Sequence, residues 1–150
     1  MAKLRAFSFR YGTSEGKMCW YRVEDDARNI CVRIDQYDGV QMDTEYIVTD
    51  EAFLIEAAEM IEKTRIRDWN GFYDIENTVC NGAGWVLHVY YHDEEEIHAM
   101  GHTAYPEGFE EGKQEMIDIF RRFTMTSVVS KNLFKPSSSG KLKTTAEGGF

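Results

Sequence analysis

All four histidines of this 150-residue chain fall within fifteen positions: His88, His92, His98 and His102. Imidazole is the side chain best suited to ligate metals and move protons near neutral pH. The surrounding residues alternate in polarity. Trp85, Leu87, Val89 and Tyr91 interleave with Val86, His88, Tyr90 and His92, a period of two that marks a strand with one buried face. After a polar turn, Glu96 to Thr103 alternates again, with Ile97, Ala99 and Gly101 inward. A three-residue loop, His92-Asp93-Glu94, pairs Tyr91 with Glu95, Val89 with Ile97, Leu87 with Ala99 and Trp85 with Gly101. A two-residue loop would set Val89 against His98 and lose the apolar match. The chosen register gives Glu94 the left-handed position where Gly is usual. It also puts His88 opposite His98 on the face away from Trp85, with Cβ atoms ~5 Å apart. Glu96 lies two residues along, and His92 is in the loop. Zinc or nickel would accept such a set, but no third ligand is fixed by spacing. The expectation is a solvated polar face with no metal and no cofactor; His88, His98 and His92 are the set that would hold an ion.

Other candidate chemistry is weaker. Cys80 precedes the hairpin, yet no spacing links it to a base, and there is no Gly-rich phosphate cradle or serine elbow. It reads as a small apolar side chain. Cys19, Cys31 and Cys80 are odd in number and widely spaced, which favours reduced thiols in a cytosol. Glu94-Glu95-Glu96 reads as a solvated turn, because successive strand residues point to opposite faces. Trp20, Trp69 and Trp85 read as core, whereas an exposed Trp20 would mark a binding site. No catalytic residue is assigned.

The elements that must position these residues follow from the same patterns. Residues 4–11 form a strand with Arg5, Phe7, Phe9 and Tyr11 on one face. Lys17 to Glu24 and Asn29 to Asp35 form two more, and the short connections imply an antiparallel meander. Acidic residues interrupt Val40 to Val48, where Tyr46-Ile47-Val48 reads as a short edge strand. Thr49 is the expected N-cap of a helix to about Lys63, with Phe53, Leu54, Ala57, Ala58 and Ile61 on its apolar face. Trp69-Asn70-Gly71 is a turn, and Asp74 to Gly82 a loop. Pro106 starts a last helix that runs to Phe123, with Phe109, Met116 and Phe120 inward. Gly112 inside it costs up to about 1 kcal/mol relative to Ala. Thr124 to Val129 reads as strand or coil, and the Ser-, Lys- and Gly-rich stretch beyond as linker and tail. The whole is an α+β fold: an antiparallel sheet of order βββ(β)αββα with two helices on one face. Residues 1–124 form the single domain and 125–150 a basic tail.

The spacing Trp85…Tyr91-x-Asp93…Ile97…Gly101-x-x-Ala104-Tyr105-Pro106…Phe109 resembles a small domain found in many anaerobic gut bacteria, as does Trp69-Asn70-Gly71-Phe72 upstream. The family pattern reads W-x-L-x-I-x-Y-x-D-G, then G-x-N-A-Y-P-x-x-F. The similarity covers roughly residues 1–124. Glu94 stands where the family has its turn Gly, and Thr103 where it has Asn. The resemblance implies the fold; the family has no established activity, so no residue roles follow from it.

Charge narrows the function. The net charge of −9 argues against direct nucleic-acid binding through a broad basic face. Tyr91 to Phe120 holds nine acids and one lysine, while Thr124 to Phe150 holds four lysines and one glutamate. No apolar run approaches the ~18 residues needed to span a bilayer, and Met1 to Arg5 shows no signal-peptide core. The expected protein is therefore a cytoplasmic, non-catalytic protein-binding module of the inhibitor, immunity or regulatory kind. Glu94, Glu95, Glu96, Glu107, Glu110, Glu111 and Glu115 would face a basic partner, for instance a nucleic-acid-binding protein. The alternatives are a metal-dependent or Cys–His enzyme built on the histidine hairpin, and a structural subunit docked by its tail. Oligomeric state is not readable.

Overall fold

The structure is a computed structural model that describes residues 3–13, 15–75 and 84–134. Among these residues seven strands form one sheet: β1 (Leu4–Gly12), β2 (Met18–Asp25), β3 (Ile30–Tyr37), β4 (Met42–Thr49), β5 (Tyr73–Ile75), β6 (Gly84–Tyr91) and β7 (Glu96–His102). Their spatial order is β4-β3-β2-β1-β6-β7-β5, antiparallel except where β5 runs parallel to β7. The α-helices among these residues are α1 (Glu51–Lys63) and α2 (Phe109–Phe134), and Ile66–Trp69 forms a short 3-10 helix.

Alternation builds the core row by row. Ile47, Val32, Val23, Phe7, Val89 and Ile97 are successive cross-strand partners from β4 to β7. All six are buried. A second row runs Ile34, Tyr21, Phe9, Leu87 and Ala99, also buried. Both helices close over this side. Phe120 of α2 packs against Phe7, Tyr21 and Phe53 of α1, with ring centroids 5.8, 5.4 and 5.1 Å away. The α+β architecture with two helices on one face is as expected.

The hairpin register also matches. Val89 pairs with Ile97, Leu87 with Ala99, Trp85 with Gly101 and His88 with His98. The Tyr91 N–H donates to Glu95 O at 2.9 Å, and Glu94 takes φ +73°. A Cβ on Gly101 would lie 2.7 Å from Trp85 Nε1 and 2.3 Å from Ala104 O, so the indole does fill the space above glycine.

Several boundaries differ from expectation. A bulge at Arg5 shifts the β1–β6 register between Leu4 and Ala6. Leu4 is thereby buried, and Arg5 crosses to the other face, over the Tyr90 ring. β4 is a full eight-residue strand, hidden in the sequence because its outward residues are apolar and its inward ones partly acidic. Asp50, not Thr49, caps α1, its carboxylate accepting from the Ala52 N–H at 3.0 Å. Asp74 and Ile75, expected in a loop, belong with Tyr73 to a strand, and the rest of that expected loop lies outside the described residues. α2 begins three residues after Pro106, so Glu107 lies outside its first turn, and it continues through Thr124–Val129 to Phe134. Thr124 is tolerated there, though buried, because its hydroxyl donates back to Phe120 O at 2.5 Å.

Candidate binding surface

With both helices on one side, the other face of the sheet has no covering layer among the described residues. Its central row runs Tyr46, Arg33, Arg22, Ser8, His88 and His98, cross-strand partners from β4 to β7. The row spans five interstrand gaps, about 24 Å.

At its β4 end sits a carboxylate that sequence reasoning missed. Asp35 is fully buried although it belongs to the uncovered face. It pairs with the Arg22 Nη2 and, at 3.3 Å, with Arg33 Nε, and the Thr44 hydroxyl donates to it at 2.6 Å. Arg22 lies over Trp20, 3.5 Å from the ring centroid, and the Trp20 Nε1–H donates to Ser8 Oγ at 2.8 Å. Side chains from β1 to β4 are thus stitched together. Burial pulls the Arg22 guanidinium below its usual value, and Asp35 opposes the shift. A signal was present: the meander puts Arg22 directly opposite Arg33, a repulsive pair that requires a nearby carboxylate. Trp20, half-buried on this face, stands outside the helix-covered core.

At the β6–β7 end, His88 and His98 stack with centroids 4.0 Å apart and planes 11° from parallel. His88 Nε2 is 3.3 Å from Glu96 Oε1, and His98 Nδ1 is hydrogen-bonded to the Tyr73 hydroxyl. Burial, then the neighbouring His88, hold the His98 pKa below its ordinary value. Stacked rings offer faces to each other, not converging lone pairs. His92 is elsewhere, 3.2 Å from Asp25, and His102 lies at the far end of β7. Among the described residues no three of His, Cys, Asp or Glu are placed to share a metal. Cys31 on β3 is three strand spacings from β6, about 14 Å; Cys19 projects to the helix side, and Cys80 lies outside the described residues.

The seven glutamates lie on two parts of the chain. Glu94, Glu95 and Glu96 sit at the β6–β7 turn; Glu107, Glu110, Glu111 and Glu115 lie on and before α2. Arg67 pairs with Glu95 at 2.6 Å and Glu62 at 2.5 Å, while Arg65 meets Glu107 at 3.5 Å. Glu62 chiefly raises the Arg67 pKa. Glu110 is 3.9 Å from Lys113, and Glu96 faces His88. Glu94, Glu111 and Glu115 are exposed and have no ion pair among the described residues.

Large apolar groups are exposed at the β4 edge, with Met42 44%, Tyr46 64% and Val48 62% accessible on the uncovered face. No helix among the described residues is long and apolar enough to cross a membrane. The chain matches no protein-family model, no curated protein and no solved structure.

Proposed function

We propose that this chain is a non-catalytic binding module for a basic partner protein, acting in the cytoplasm as an inhibitor, immunity-type or regulatory protein. The observation that carries the reading is the row of exposed Met42, Tyr46 and Val48 on a sheet face without a covering layer. Large apolar groups side by side on a surface mark interaction sites, whereas scattered ones do not. The basic character of the partner is supported by charge. Apart from the lysine-rich tail the chain is strongly acidic, and Glu94, Glu111 and Glu115 are free to attract an opposite charge from a distance. Unpaired Cys19 and Cys31 suit a reducing compartment.

The test starts with affinity capture from the native host. A basic protein should be retained by the wild type and lost from a Tyr46→Ser/Val48→Ser variant of unchanged circular dichroism. Its association with a variant carrying Glu94→Gln, Glu111→Gln and Glu115→Gln should be slower and less salt-sensitive. A salt slope untouched by those three changes would remove charge from the reading; equal retention by the Tyr46/Val48 variant would remove the surface. Neither enzyme alternative gains an observation, since no cysteine and histidine approach each other among the described residues. The tail-docking alternative concerns residues 125–150, of which 135–150 lie outside them.

A further inference from the structure

The two edges of the sheet are treated differently. At one edge, β5 pairs with β7. The preceding segment adds further bonds: the Gly71 N–H donates to His98 O, the His98 N–H to Asn70 Oδ1, and the Met100 N–H to Phe72 O, each at 2.9 Å. At the other edge, β4 pairs only with β3, and no strand lies beyond it among the described residues. The direction of its free backbone groups follows from the turn. The Asp38 N–H donates to Gln41 O, and hydrogen-bonded pairs alternate from there along an antiparallel ladder. Asp43, Glu45, Ile47 and Thr49 therefore bond to β3. Met42, Thr44, Tyr46 and Val48 turn their N–H and C=O groups to the empty side. Three of these four also carry the exposed apolar side chains.

An eight-residue edge with unpaired backbone and exposed apolar groups is a template for another strand. The side chains define which strand. On the uncovered face an incoming strand meets Tyr46 and Val48. On the helix side it meets Asp43 and Glu45, both exposed and without an ion pair among the described residues. A second copy of this chain would bring the same two acids to the same side of the junction. We propose that β4 is a strand-addition site, and that its occupant is an extended segment of a partner protein alternating apolar with basic residues. The apolar set extends the patch at Tyr46 and Val48, the basic set pairs with Asp43 and Glu45, and main-chain hydrogen bonds supply the register. The inference rests on the binding-module reading and gives its partner a chemistry and a docking mode.

The test uses the full chain, isotopically labelled, and a synthetic peptide alternating Lys with Val, with a Glu-for-Lys peptide as control. The Lys peptide should slow amide exchange at Met42, Thr44, Tyr46 and Val48, and the control should not. Tyr46→Pro removes an outward N–H without touching the β3 ladder, a position where an edge strand accepts proline. It should weaken the peptide about tenfold or more, and Asp43→Lys/Glu45→Lys, which leaves the backbone intact, should do the same. Lys-peptide binding that maps to the Glu94 or α2 side and survives both variants overturns strand addition while leaving a basic partner in place. No binding at millimolar peptide overturns strand addition, and only if affinity capture also retains no basic protein does the binding-module reading fall with it. Concentration-dependent dimerisation that Tyr46→Pro abolishes overturns the proposed occupant in favour of a second copy.

Discussion

Asp35 shows how one buried carboxylate organises a polar face. Arg22 and Arg33 are opposed across β2 and β3, and each reaches the carboxylate between them. Removing that charge leaves two guanidiniums facing each other. Asp35→Asn is therefore expected to destabilise the fold toward the lower end of ~3–5 kcal/mol, because both arginines keep some access to water. A urea-unfolding midpoint indistinguishable from wild type would show that the arginines pair elsewhere. The contrast with His88 and His98 explains what was legible at this scale. Their juxtaposition needed only the hairpin register, which Trp85, Leu87, Val89, Ile97 and Ala99 determine by alternation. The burial of Asp35 depends on which long side chains fold over it, and no periodicity encodes that.

Among the elements, α2 shows a local cost with a tertiary cause. Gly112 weakens the helix, yet a Cβ there would come 2.7 Å from Trp69 Cζ2 and 2.8 Å from Cη2. Trp69 is held in place by its Nε1–H, which donates to Glu107 O at 3.2 Å, and by Phe109, 5.3 Å away between centroids. Gly112→Ala would gain about 1 kcal/mol of helix propensity and overpack the indole at a typical ~1–3 kcal/mol. The expected outcome is a lowered melting temperature, with the loss smaller in a Trp69→Phe background because the two positions share one space. A higher melting temperature for Gly112→Ala alone would mean that the indole moves freely. Elements whose pattern agreed with their surroundings, such as β2, β3 and α1, were readable from sequence. β4 was readable only as the short edge strand Tyr46-Ile47-Val48, because its outward side holds Met42, Tyr46 and Val48; β5 was not, because three residues become a strand only through pairing with β7.

At the scale of the whole molecule, the sheet joins a meander, β1 to β4, to a hairpin, β6 and β7. Among the described residues the only strand pairing between the two is β1 with β6. Phe7 and Phe9 lie at that junction, so the core rows are continuous only when it forms. A fragment ending at Ile75 is therefore expected to aggregate or bind a hydrophobic dye despite containing five strands and α1. A monomeric, well-dispersed spectrum from that fragment would show that the meander stands alone. The N-terminal strand is thus central in space but first in time. Tyr11 pairs with Trp85 across more than seventy intervening residues. At ~5–20 residues per second of synthesis, β1 leaves the ribosome roughly 4–16 s before β6 is complete. For those seconds β1, which ends inside the sheet between β2 and β6, is itself an unpaired flank, which makes this interval the one in which a chaperone, or a pause in translation, has most to influence.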